Sequence, residues 1–221
     1  MRKNETGFRP YSVVALILAL EILVGCNFGP APNKTKEQPK TAVVSDPDPG
    51  IDLNCVIDRI QNPPEAFHYT YKKVNSQNPV DEEADFTPQG VDGTSTNSAG
   101  AHPVHAQRSD TAGWQQAQAF LTAISGAAST VALVNHSSAM VREGTESVNG
   151  YDTIRYSIDT SRGNVAEAAL YRTTLGPGGF EKGAAWVTSK GCPIKFSIDT
   201  EMHLNDGTVQ TDHYEEAIVK K

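Results

Sequence analysis

Apolar residues recur at every second position along much of this chain, and a period of two marks strands with one buried face. Phe67, Tyr69 and Tyr71 alternate with His68, Thr70 and Lys72. Near the C-terminus Ile194, Phe196, Ile198, Met202 and Leu204 share one parity, while Lys195, Ser197, Asp199, Glu201 and His203 hold the other. Met140–Val148 and Thr153–Asp159 flank Asn149-Gly150, two residues that tolerate positive φ and so close a tight hairpin; Ile154, Tyr156 and Ile158 line one face of its second arm. Ala184–Thr188 leads through Gly191 into the long strand, and Asp206-Gly207 turns the chain into a last strand over Thr208–Val219. Asp81–Gly90 predicts a further strand centred on Phe86, with acidic residues and Pro88 against it. The result is an antiparallel sheet with one apolar and one wet face.

Three stretches change to the helical period. Leu53, Val56, Ile57 and Ile60 are spaced for a short helix that Pro63-Pro64 stops. Asp110 or Thr111 caps a helix over about Ala112–Ser125, whose stripe of Trp114, Ala117, Phe120, Leu121 and Ile124 should lie on the sheet. Asn164 with Glu167 forms a capping pair for a helix running to about Tyr171, and Gly176-Pro177-Gly178-Gly179 ends that region. Val91–Asp110, rich in Gly, Ser, Thr and Asn, has neither period and predicts a long loop opened by an Asp92-Gly93 turn. Loops of that length are uncommon unless they are functional or disordered.

The N-terminus follows another pattern. Arg2, Lys3 and Arg9 stand against a single Glu5, and Tyr11–Leu23 is apolar except for Ser12 and Glu21. About 13 apolar residues fall short of the roughly 20 that a membrane span needs, and Glu21 would be costly inside one, so residues 1–25 predict a cleaved export signal. An uncleaved anchor helix is the competing reading. At the junction, Leu23-Val24-Gly25-Cys26 resembles the lipobox of bacterial lipoproteins. That resemblance implies that Cys26 becomes the lipidated first residue of the mature chain, held by several acyl chains at roughly 0.8 kcal/mol per buried methylene. By the same resemblance Asn27, in place of an inner-membrane-retaining Asp, implies the outer membrane, facing the periplasm. Residues 26–50 then form a proline-rich polar tether, and 51–221 one domain.

Composition narrows the function. The net charge of -7 and the lack of a basic patch with interleaved aromatics exclude nucleic acid as an expected partner. With Cys26 lipidated, Cys55 and Cys192 remain, and two leftover cysteines in an oxidising compartment are expected to bond; free thiols are the alternative. Nucleophile-elbow, zinc-helix, Walker and dinucleotide motifs are all missing from the sequence, so neither an enzyme nor a cofactor is expected. His102 and His105, with no cysteine nearby, predict solvated loop residues rather than metal ligands.

Trp186-Val187, a turn ending in Gly191, and then Cys192-Pro193-Ile194-Lys195 resemble the hairpin of lipoprotein carriers of the LolA, LolB and LppX type. The resemblance implies an α+β fold, a curved antiparallel sheet or half barrel with helices on its concave apolar face, and a cavity for acyl chains. Trp114, Phe120, Ile124, Tyr156, Phe196 and Met202 are the candidate lining residues. The same residues also suit a filled core between helix and sheet. Two functions follow: a lipid-anchored carrier or sensor of an apolar ligand, or a structural lipoprotein that docks another envelope protein.

Overall fold

The tyrosine-rich alternation at residues 67–71 becomes the centre of a nine-stranded sheet. The computed structural model describes residues 48–75, 77–121 and 131–221, without the side chains of 118–121. Cys26, the signal, most of the tether, Ile124 and the Phe120 side chain lie outside the described residues. In chain order the elements are α1 (Leu53–Gln61), β1 (Phe67–Val74), β2 (Val80–Thr87), β3 (Gly90–Asn97), β4 (Gly100–Gln107), α2 (Thr111–Leu121), β5 (Met140–Val148), β6 (Tyr151–Asp159), α3 (Val165–Leu175), β7 (Phe180–Val187), β8 (Pro193–His203) and β9 (Val209–Lys220). The strands lie in the order β4-β3-β2-β1-β9-β8-β7-β6-β5, open at both ends, and every neighbouring pair is antiparallel. Two meanders, β1–β4 and β5–β9, are thus sewn together where the first strand meets the last.

Residues 91–110 correct the loop expectation. They form β3 and β4, a hairpin that turns at Ser98-Ala99, and Asp92-Gly93 lies inside β3 opposite Asp85 and Ala84. The periodicity is faint because the buried side chains are few and small: Val91 and Ser95 on β3, Val104 and Ala106 on β4. The pair sits at the sheet's end, where Pro103 on the outermost strand costs no ladder bond on its free side. At the opposite edge β5 is exposed along most of its length, and its register shifts between Arg142 and Gly144, features that discourage edge-to-edge pairing. The Asn149-Gly150 turn closes β5 on β6 with both residues at positive φ.

The helices bring apolar side chains to the sheet core. Asp52 caps α1, which buries Val56 and Ile60. Cys55 on α1 is bonded to Cys192 at the start of β8, with Cα atoms 5.4 Å apart, and the Asp52 N–H donates to the Gly191 carbonyl at 2.9 Å. Helix α2 packs against β3 and β4 through Trp114 and Ala117. In α3 the Asn164/Glu167 capping box forms in full, and the helix continues to Leu175, one turn beyond the predicted end, because Tyr171 and Leu175 are both buried. Gly176 then takes φ +81°.

Candidate functional site

Antiparallel partners project to the same face, so the registers define rows of side chains across the sheet. One row runs Ser95, Glu82, Tyr71, Glu216, Phe196, Ala185, Tyr156 from β3 to β6, through the seam between the meanders. Beside it lie Gly93, Ala84, Tyr69 and Ile218, and beyond those Val91, Phe86 and Phe67. Phe67 and Phe86 stack at 4.9 Å, and Tyr69 meets Phe86 edge-on at 6.2 Å. The aromatic face expected at residues 67–71 is therefore the middle of the core, and Tyr69 is fully buried.

Two kinds of buried carboxylate share this face. Asp212 on β9 is satisfied: Tyr214 Oη donates to it at 3.0 Å, Gln210 Nε2 at 2.9 Å and Asn75 Nδ2 as well, with Lys73 Nζ at 3.7 Å. Glu216 and Glu82 are not. Ser95 Oγ donates to Glu82 Oε1 at 3.2 Å, but Glu82 Oε2, Glu216 Oε2 and the Tyr69 hydroxyl are buried without a hydrogen-bond partner. Burial, joined at Glu216 by the Glu82 charge, pushes Glu216 up to about 8. Burial lifts Glu82 to about 7 against the Ser95 bond. Burial and then the charges of Glu216 and Glu82 push the Tyr69 hydroxyl far up.

The candidate lining residues divide. Tyr156 and Phe196 fall in the same row, both essentially inaccessible, separated by Ala185. Tyr156 Oη donates to Asp48, so its polar tip is held by the segment that precedes α1. Met202 is further along β8, opposite Gln210, and half-buried. Trp114 is buried on α2 near the β3–β4 end, with the Arg108 guanidinium 5.2 Å above its ring. The structure therefore joins two of the six and sets Trp114 and Met202 apart from them. Clefts among the described residues include one of about 510 Å³ beside the disulfide at Asp58 and Lys190, one of about 280 Å³ along β5 and β6 at Thr145 and Asp152, and one of about 200 Å³ between β4 and α2 at Val104 and Ala117. His102 and His105 sit on β4, and His105 faces Asp92 at 3.7 Å. Among the described residues there is no cluster of three or more metal-ligating side chains, and no helix is long and apolar enough to cross a membrane.

Sequence reasoning passed over Glu82, Glu216 and Ser95. Their signal was parity: Glu82 alternates in step with Ala84 and Phe86, and Glu216 with Tyr214 and Ile218, so each carboxyl occupies a position that its strand reserves for the core.

Compared with known proteins, the chain matches no family model and no curated sequence. Among solved structures it is similar to MucB, in the crystal structure of MucB in complex with MucA(peri), at 8% identity and a TM-score of 0.27. The alignment covers 76% of this chain and 54% of that one, so this chain spans about half the length of the protein it matches, an overlap too shallow to carry a function across.

Proposed function

We propose that this chain is a non-catalytic, lipid-anchored envelope lipoprotein that carries or senses a lipid or other apolar ligand between the concave face of a half-barrel sheet and its helices. Its anchor is Cys26, in the outer membrane facing the periplasm. The observation that carries the reading is the extent of the apolar face. It is continuous from Val104 and Ala106 on β4 to Met140 on β5, with Phe67, Tyr69, Phe86 and Phe196 at its centre, while the described helical residues lay on it Val56, Ile60, Trp114, Ala117, Val131, Val134, Tyr171 and Leu175. Such a face suits an elongated apolar molecule, which gains roughly 0.8 kcal/mol for each methylene it buries.

Native mass spectrometry of the gently purified protein tests the reading: a lipid-sized adduct is expected, and a clean apoprotein mass with no uptake of a fluorescent fatty acid would overturn it. Phe120→Ala separates a lined pocket from a filled core. In a pocket it weakens fatty-acid uptake and costs clearly less than the roughly 3–5 kcal/mol of a well-packed aromatic. For the anchor, Cys26→Ser is expected to leave the protein without acyl chains; a variant that still partitions into detergent like the parent rules the anchor out.

The partner-docking reading keeps one observation of its own. On the outer face Trp186 is half-exposed between Lys195, 4.9 Å from its ring centroid, and Arg155, 5.5 Å away, and its Nε1–H donates to Glu146 at 2.6 Å. An aromatic with cationic neighbours is a common anchor at protein interfaces. Trp186→Ala that abolishes co-purification of an envelope protein while sparing fatty-acid uptake would favour it.

A further inference from the structure

Buried carboxyls are ordinarily matched to donors, and Asp212 shows that this sheet does so when the carboxyl serves the fold. Four residues further along β9 on the same face is Glu216, which with Glu82 flanks Tyr71 across the β2–β1–β9 seam, and each of the two keeps one oxygen unpartnered. Tyr69, one step along β1 on the same face, is fully buried, and its hydroxyl lacks a partner too. Tyr69 and Tyr71 are successive same-face residues of β1, so the hydroxyl and the two carboxyls belong to adjacent rows of one core face. Beside Tyr69 the row continues with Ala84 and Gly93, so side chains are short there, while Phe67, Phe86 and Phe196 supply apolar wall on either side.

Two carboxyl oxygens and a tyrosine hydroxyl, which accepts as well as donates, leave more acceptor than donor capacity in an apolar surround and suit a donor with no acceptor of its own. An ammonium group has three N–H donors and no lone pair. A hydroxyl brings one donor, and a carboxylate brings none. A metal ion is disfavoured, because no third ligating side chain joins the two carboxyls among the described residues. Burial has already raised both carboxyls, so a cation placed between them would recover the charged form that burial disfavours. We propose that the inner face binds an amphiphile with a primary ammonium head, the head donating to Glu82, Glu216 and the Tyr69 hydroxyl and the chain lying along Phe67, Phe86 and Phe196. This inference rests on the carrier reading and adds the chemistry of the head group.

The test compares decylamine, decanol and decanoate, one chain length with three heads, by titration calorimetry below their micellar concentrations. The protein is the full chain as the Cys26→Ser variant, which lacks the cysteine that would carry acyl chains. Decylamine is expected to bind at least about tenfold more tightly than the other two, on the scale of charge-assisted hydrogen bonds. In Glu82→Gln/Glu216→Gln that preference should fall to within about twofold while decanol binds as before. Tyr69→Phe keeps the ring, loses only the oxygen, and should weaken decylamine about fivefold without changing decanol, which keeps the proposal testable if the double variant does not fold. Equal affinity for the three heads, or a preference that survives these variants, overturns the ammonium site and leaves the carrier reading in place. Binding of none of the three removes both.

Discussion

At the scale of single residues, the unusual feature is Glu82 and Glu216, core-facing carboxyls each with a buried oxygen that no donor meets. Glu82 and Glu216 occupy core parity, and burial holds them at about 7 and about 8, far above the ordinary 4.5. Between those limits the folded chain binds more protons at these sites than the unfolded chain, so stability falls as pH rises through that window and is greatest toward its acid end. The ligand-free protein should therefore lose stability between pH 5 and pH 9, by an amount on the order of a few kcal/mol. Glu216→Gln should flatten most of that slope and raise the denaturant midpoint at pH 8. Urea melts across the range check this, and a slope unchanged in the variant would mean that the carboxyl is already satisfied. Placing both side chains needed only the strand parity; knowing that Oε2 of each lacks a donor needed the neighbours from other strands.

Among the elements, the strongest local chemistry gave the sharpest boundaries. Asn149-Gly150 puts positive φ on the two residues that can take it, and the β5–β6 hairpin follows with the expected strands, the second starting two residues earlier. Asn164 and Glu167 cap α3 reciprocally. At the end of α3, Gly176 adopts φ +81°, and a Cβ there would stand 1.9 Å from the His203 carbonyl oxygen. Gly176→Ala should cost at least about 1–3 kcal/mol and lower the melting temperature, because both the backbone and the contact are forbidden to alanine. Calorimetry of the variant measures it; a neutral change would mean that the α3–β7 connection is not held against β8. The β3–β4 hairpin escaped sequence reading because its inner side chains are small and its outer ones polar, leaving pairing with β2 as the main order in it.

For the whole molecule, closure depends on contacts remote in sequence. β1 pairs with β9, and the Cys55–Cys192 bond spans 137 residues, tying α1 to the start of β8. In the chain-entropy account a loop of that size is worth about 4–5 kcal/mol, so Cys55→Ala/Cys192→Ala should lose most of that amount in denaturant melts. Thiol labelling of the unreduced, denatured protein should modify neither cysteine; labelling of both would remove the basis of the prediction.

What the sequence determined by itself is local: the period-two strands, the Asn-Gly turn and the α3 cap, each written within a few consecutive residues. Which strands are neighbours was decided only in three dimensions, because the β1–β9 seam joins residues 67–74 to 213–220 and no local pattern encodes a partner that distant. That seam brings Glu82, Tyr69, Tyr71 and Glu216 together. It also separates Trp114 from Tyr156 and Phe196, which had looked equivalent, since an apolar residue announces burial but not which part of the core receives it.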